Sequence, residues 1–209
     1  VIEDLGGSRS LDDVLREPDR AAALAALAAL GRATARLHAA TLGDGAAAHE
    51  RAFDETRASL PGERTNDRER DAARWEREAH ASLAAWHDAL GVAAPWEIGD
   101  ALRAVAAAYR DPGAYLAFTH GDPAPTNDHV AADGTLRLLD FEYGGFRHAL
   151  YDPTAWAVLC PLPADALAAV RDDERAELAT HSRALADIGF DAGWAAMSCW
   201  RAVAMLGWL

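Results

Sequence analysis

Residues 119–127 read Thr119-His120-Gly121-Asp122-Pro123-Ala124-Pro125-Thr126-Asn127, and residues 138–142 read Leu138-Leu139-Asp140-Phe141-Glu142. Between these stretches, Asp128 to Ala131 and Leu136 to Leu139 flank Ala132-Asp133-Gly134-Thr135, a turn-forming tetrad that predicts a β-hairpin. Tyr115 to Thr119 alternates like a strand ahead of it. Asp122 and Asn127 stand five positions apart across a loop stiffened by two prolines, and Asp140 follows thirteen positions beyond Asn127. Such a hairpin carries Asp140 back beside Asn127 and gathers two carboxylates and an amide oxygen in a cleft. Magnesium prefers hard oxygen ligands of this kind, with substrate phosphates and waters completing its octahedron. A loop carboxylate left off the metal is free to orient a hydroxyl and accept its proton.

Outward from this segment the pattern turns helical. Leu24, Leu27, Leu30, Thr34, Leu37 and His38 recur at helical spacing in an alanine background, predicting a long central helix from Asp19 to Thr41. Ser10 with Asp13 three residues on marks the start of a short helix ending before Pro18. Residues 42–66 read as loops around one short helix, followed by helical patterns over about 67–90 and 100–110. The first of these carries Trp75, Leu83, Trp86 and Leu90 on one face, and its acidic and arginine-rich start, Arg64 to Arg77, reads as a solvated surface. From Tyr151 onward the chain is helical again, with breaks near Pro161-Leu162-Pro163 and Gly189. The expected fold class is mainly α with a small β-hairpin insert, an α+β arrangement without internal repeats.

Composition narrows the function. The 209 residues are 51% hydrophobic, which supplies ample core and excludes disorder. A formal charge of −13 and an isoelectric point near 4.9 oppose an electrostatic grip on nucleic acid or anionic lipid, and mildly favour a cationic or metal-chelated ligand. No apolar run is long enough to read as a membrane span. All 20 basic residues are arginine, so no step that needs a lysine amine comes from this chain. Cys160 and Cys199 sit in apolar surroundings at no metal-like spacing, which reads as free thiols in a reducing compartment and hence a cytoplasmic location.

Asp122, Asn127 and Asp140, in an Asp-x4-Asn loop followed by a hairpin and an Asp-Phe element, resemble the catalytic layout of the protein-kinase fold. The variant His120-Gly121-Asp122 looks like the aminoglycoside phosphotransferase and choline kinase-like enzymes. Protein kinases usually carry an arginine at the position of Gly121, to pair with an activation-loop phosphate. The stretches Asp140-Phe141-Glu142-Tyr143-Gly144, Leu150-Tyr151-Asp152-Pro153 and Arg36-Leu37-His38 are similar to the same family. Val1-Ile2-Glu3-Asp4-Leu5-Gly6-Gly7 looks like the linker between the two lobes of that fold.

The resemblance implies a domain layout of an inter-lobe linker over residues 1–8 and a kinase-like large lobe over residues 9–209. Within that lobe lie the catalytic loop at 119–127 and the metal-binding Asp-Phe element at 140–144. It implies Asp122 as catalytic base, Asn127 and Asp140 as magnesium ligands, and the Glu3 carbonyl and Leu5 amide as adenine contacts. His120 and Asp152 map to structural supports of the loop. The implied activity is transfer of the γ-phosphate of ATP or GTP to a hydroxyl of a small molecule. The family's small lobe, with its phosphate-binding lysine, would lie upstream of Val1, so the chain alone is expected to be inactive. Two other readings compete: a pseudokinase or interaction module, and, more distantly, a metal-dependent hydrolase built on His120, Asp122 and His129. Glu142 and Tyr143 are either substrate contacts or a hydrogen-bonded pair closing the loop.

Overall fold

The computed structural model describes residues 7–60, 67–95, 97–159, 162–187 and 189–206. Linker positions 1–6, Glu3 and Leu5 among them, lie outside these residues, as do Cys160 and Trp208. The architecture is mainly helical with two small antiparallel sheets. After β1 (Arg9–Ser10), Ser10 caps α1 (Leu11–Arg16): its hydroxyl accepts the Asp13 amide at 3.1 Å and donates to the Asp13 carboxylate at 2.7 Å, satisfying one of the helix's orphan donors. Asp19 caps α2 (Arg20–Ala39) in the same way through the Ala22 amide.

Helix α2 is the axis of the molecule. Its buried side, Ala26, Leu27, Leu30, Thr34, Ala35 and His38, follows the expected stripe, while Leu24 and Leu37 sit at its half-buried margin. Leu27 and Leu30 join Leu11, Val14, Trp156 and Val170 in one core. Ala35 joins a second core with Trp75, Leu102, Tyr109, Phe190, Met197 and Trp200. That second core is built by α4 (Arg68–Leu90), α5 (Ile98–Arg110) and α9 (Phe190–Leu206), with α3 (Ala46–Ala58) beside them on the polar stretch. At its centre Trp200 stacks between Trp75 and Tyr109, with ring centroids 4.5 and 3.8 Å away. The expected apolar face of α4 is buried only at its first half: Trp75 is enclosed, whereas Trp86 and Leu90 near the end are exposed.

Strands interrupt this helical frame where the alternation placed them. β2 (Leu116–Thr119) leads to the loop, and β3 (Asp128–Val130) pairs with β4 (Leu136–Leu138) as the hairpin, Asp128 opposite Leu138. Two pairings were not foreseen. β1 adds to the outer side of β3, and β5 (Gly145–His148) pairs with β2, with Thr119 opposite Gly145. Both are short segments whose glycine or two-residue length hides the period-2 signal. A tight turn, Ala149–Tyr151, then leads to α6 (Ala155–Leu159), α7 (Ala164–His181), α8 (Arg183–Asp187) and α9. Among the described residues no helix is long and apolar enough to cross a membrane, and Cys199 is a free thiol.

Helices α2 and α7 approach unusually closely because Gly31 faces the α7 backbone. A Cβ there would meet the Val170 carbonyl oxygen at 2.9 Å and the Asp173 Cβ at 3.2 Å. Gly31→Ala gains about 1 kcal/mol of helix propensity but forces two packed backbones apart, at a cost of about 1–3 kcal/mol. The expected result is a net loss of stability in urea titration; a stabilised variant would show that the close approach is not required.

Candidate active site

The loop from His120 to Asn127 is suspended from a buried carboxylate. Asp152, at the end of the Ala149–Tyr151 turn, accepts the His120 amide at 2.7 Å on Oδ2 and the Gly121 amide at 2.9 Å on Oδ1. Its side chain is fully buried, which alone would make ionisation unfavourable. His38 answers it: Nε2 donates to the same Oδ2 at 3.0 Å. Burial works to raise the Asp152 pKa, yet the His38 hydrogen bond and charge, the Gly121 amide and the nearby Arg201 guanidinium hold it below the ordinary carboxylate range. Both supports expected from the sequence, His120 and Asp152, are therefore in place. The His120 ring donates from Nε2 to the Leu139 carbonyl, accepts the Asp122 amide at Nδ1, and leans on Phe141 with centroids 4.5 Å apart.

Gly121 is dictated by space. Its φ is +88°, and a Cβ would fall 2.2 Å from the Tyr143 carbonyl oxygen, so the turn after Asp140 closes directly onto the loop. Beyond it, the Ala124 amide reaches the Asp122 carbonyl at 2.8 Å, and the Asn127 amide reaches the Ala124 carbonyl at 2.8 Å. The Asn127 side chain donates from Nδ2 to the Asp122 carbonyl at 3.2 Å, joining two of the expected site residues directly. The third is brought in by the backbone, since the Leu139 amide donates to the Asn127 carbonyl at 2.9 Å, one residue before Asp140. From the other side, Arg57 of α3 donates to the Gly144 carbonyl at 2.8 Å and steadies the turn.

Asp140 itself is exposed and adopts φ 61°, ψ 64°, the left-handed region that side chains rarely enter. Neither Asp122 nor Asp140 forms an ion pair among the described residues. Asp122 and Asp140 offer carboxylate oxygens, and Asn127, pinned through its nitrogen, offers an amide oxygen that accepts from the Thr126 hydroxyl at 3.3 Å; each is a hard oxygen donor. Glu142 and Tyr143 are exposed on the turn, and Tyr143 covers Gly121 with its backbone. Among the described residues no three His, Cys, Asp or Glu side chains are grouped as a metal site, and the two histidines of the hydrolase reading are occupied elsewhere: His120 as above, His129 facing Ser8 Oγ at 3.3 Å.

Three groups escaped sequence reading. Glu174 of α7 is fully buried, with Oε1 facing His38 Nδ1 at 3.1 Å and Oε2 accepting from the Thr34 hydroxyl at 2.7 Å. It belongs to a run that looks solvated, yet Val170, Glu174 and Leu178 share one face at four-residue spacing. Arg201 of α9 lies 3.7 Å over the Tyr151 ring and donates to the Gly121 and Tyr151 carbonyls at 3.3 Å. Asp128 is buried on the inner side of β3, and neither carboxylate oxygen has a hydrogen-bond partner among the described residues. Burial, then the charges of Asp152 and Asp122, push its pKa up to about 8, so it is held neutral beside the loop at neutral pH.

The left-handed backbone at Asp140 separates stability from chemistry. Glycine adopts this region without strain whereas a Cβ adds about 1 kcal/mol. Asp140→Gly is therefore expected to be at least as stable as the natural chain, and Asp140→Ala about 1 kcal/mol less stable than Asp140→Gly. Equal denaturant midpoints for the two variants would contradict the assignment of strain to this residue.

No protein-family model matches this chain, and no curated protein matches it.

Proposed function

We propose that the chain is the large lobe of a small-molecule phosphotransferase of the aminoglycoside phosphotransferase and choline kinase-like type. The observation that carries this reading is the placement of Asp122. It sits on a loop whose two preceding amides hang from buried Asp152, beside an Asn127 tied to its carbonyl and an Asp140 on the adjoining turn that has no ion pair among the described residues. Phosphoryl transfer asks little covalent chemistry of a protein and depends on positioning and charge stabilisation, which a rigid loop of this kind supplies.

In this reading an acceptor hydroxyl lies against the Asp122 carboxylate. Its oxygen bonds to the γ-phosphorus, the bond from that phosphorus to the bridging oxygen of the nucleoside diphosphate breaks, and the hydroxyl proton passes to Asp122. Asn127 and Asp140 are the residues that would hold magnesium. When bound, that ion neutralises charge on the phosphate oxygens. The Glu3 carbonyl and Leu5 amide are the proposed contacts for the base of ATP or GTP. The half of the nucleotide site that carries a lysine belongs, on this reading, to a small lobe ahead of Val1, since this chain has no lysine of its own.

The test compares the 209-residue chain with a longer protein that restores the upstream lobe. The longer protein should phosphorylate a hydroxyl acceptor in a magnesium-dependent reaction, and the short chain should not. Asp122→Asn is expected to lower turnover by about 10²-fold or more, and Asp140→Ala to be at least as harmful. Activity in the short chain refutes the division of labour. An inactive longer protein across a broad panel of hydroxyl acceptors favours an interaction module instead.

A further inference from the structure

We infer that Glu174 is a positioning residue for the loop, acting through His38 and Asp152: by accepting one N–H of a doubly protonated His38 it keeps the other N–H on Asp152, which fixes the His120 and Gly121 amides. The geometry is a continuous buried chain: Thr34 hydroxyl to Glu174, Glu174 to His38 Nδ1, His38 Nε2 to Asp152, and Asp152 to the two amides. His38, Glu174 and Asp152 are each fully excluded from solvent. Carboxylates only accept, so an imidazole between two of them must carry a proton on both nitrogens to satisfy both. Remove one proton and a single N–H remains for two buried carboxylates. Either Glu174 or Asp152 then loses its donor, and Asp152 can no longer hold the loop as it does.

The groups around His38 agree with this. Burial opposes its charge, but the Asp152 and Glu174 hydrogen bonds and charges outweigh burial and hold its pKa up at about 9. His148, on β5, is driven the other way, down to about 4, by burial and by the positive charge of His38, so it is neutral where His38 is charged. Arg201 and Arg147 act on the Asp152 side of the chain, and Thr34 on α2 is neutral. A His whose folded pKa lies above its unfolded value stabilises the native state fully below the unfolded value, about 6.5, and that support is lost as pH rises through 9. The loop should therefore loosen on the alkaline side, with Glu174 setting where.

The inference rests on the phosphotransferase reading only for what the loop does, and the test separates the two. Glu174→Gln keeps the shape and leaves an amide oxygen for His38 Nδ1, and Thr34 can turn its hydroxyl to the Leu30 carbonyl, already 3.0 Å away. In this chain, the His38 protonation midpoint read by imidazole ¹⁵N shifts should fall by at least about one pH unit. At pH 8, where that fall raises the unprotonated share of His38 from about a tenth to about a half, amide hydrogen exchange at His120 and Gly121 should then rise by about fivefold or more, with Val105 and Ala106 of the second core unchanged. Arg32→Ala, which removes the half-buried α2 to α7 ion pair with Asp173, serves as control and should leave the loop unchanged. An unmoved midpoint, or exchange rising equally throughout the core, overturns the inference. In the longer two-lobed protein the alkaline limb of phosphoryl transfer should shift to lower pH in Glu174→Gln. A loop response without any transfer in either protein supports the positioning role and removes the kinase reading, whereas transfer whose pH profile ignores Glu174 removes the positioning role alone.

Discussion

A carboxylate sealed inside a protein must be met by donors, and the donors that Asp152 recruits determine where the loop can be. His38 reaches it from the end of α2, and the His120 and Gly121 amides reach it from the loop. Leaving any of these unpaired would expose a buried charge to a penalty of several kcal/mol. The loop is thus fixed to the central helix by polar necessity rather than by apolar packing. The close contact of α2 with α7 at Gly31 brings Glu174 within reach of the same histidine, so helix packing and loop geometry form one linked system.

Local rules are broken around this system and largely kept elsewhere. Asp140 sits in left-handed backbone, Gly121 has room for no side chain, and Asp128 is a buried carboxylate with no partner among the described residues. Each is a destabilising choice, and all lie within the segment from 121 to 140. Such clustering is characteristic of functional sites, where geometry is held at the expense of stability. The stacked Trp75, Trp200 and Tyr109 rings and the two apolar cores provide the rigidity against which that strain is maintained.

Much of the frame was legible because its signals are local. The caps at Ser10 and Asp19, the apolar stripe of α2 and the hairpin turn at Asp133-Gly134 each lie within a few residues of what they control. The polar loop could likewise be singled out from Asp122, Asn127 and Asp140, together with its supports His120 and Asp152. The partners that lock it could not, because they are distant: Glu174 lies 136 residues from His38, and Arg201 lies 80 from Gly121. Glu174 was masked by the charged residues beside it, although its four-residue spacing from Val170 and Leu178 placed it on the buried stripe. Asp128 carried a comparable clue, sharing its strand face with Val130, which packs on the core. β5 was missed because Gly145 begins it and only four residues form it.

On the proposed reading, Asn127 and Asp140 hold one cation beside the Asp122 carboxylate, on a loop fixed by Asp152. Manganese can replace magnesium as a paramagnetic probe whose effect on amide resonances falls steeply with distance. Titrated into the ¹⁵N-labelled chain, it should first broaden the amides of Asp122, Asn127 and the turn from Asp140 to Glu142, and this selectivity should vanish in Asp140→Ala. Broadening that starts instead on the acidic surface of α7, at Asp172 and Asp173, and is indifferent to Asp140, would contradict the claim.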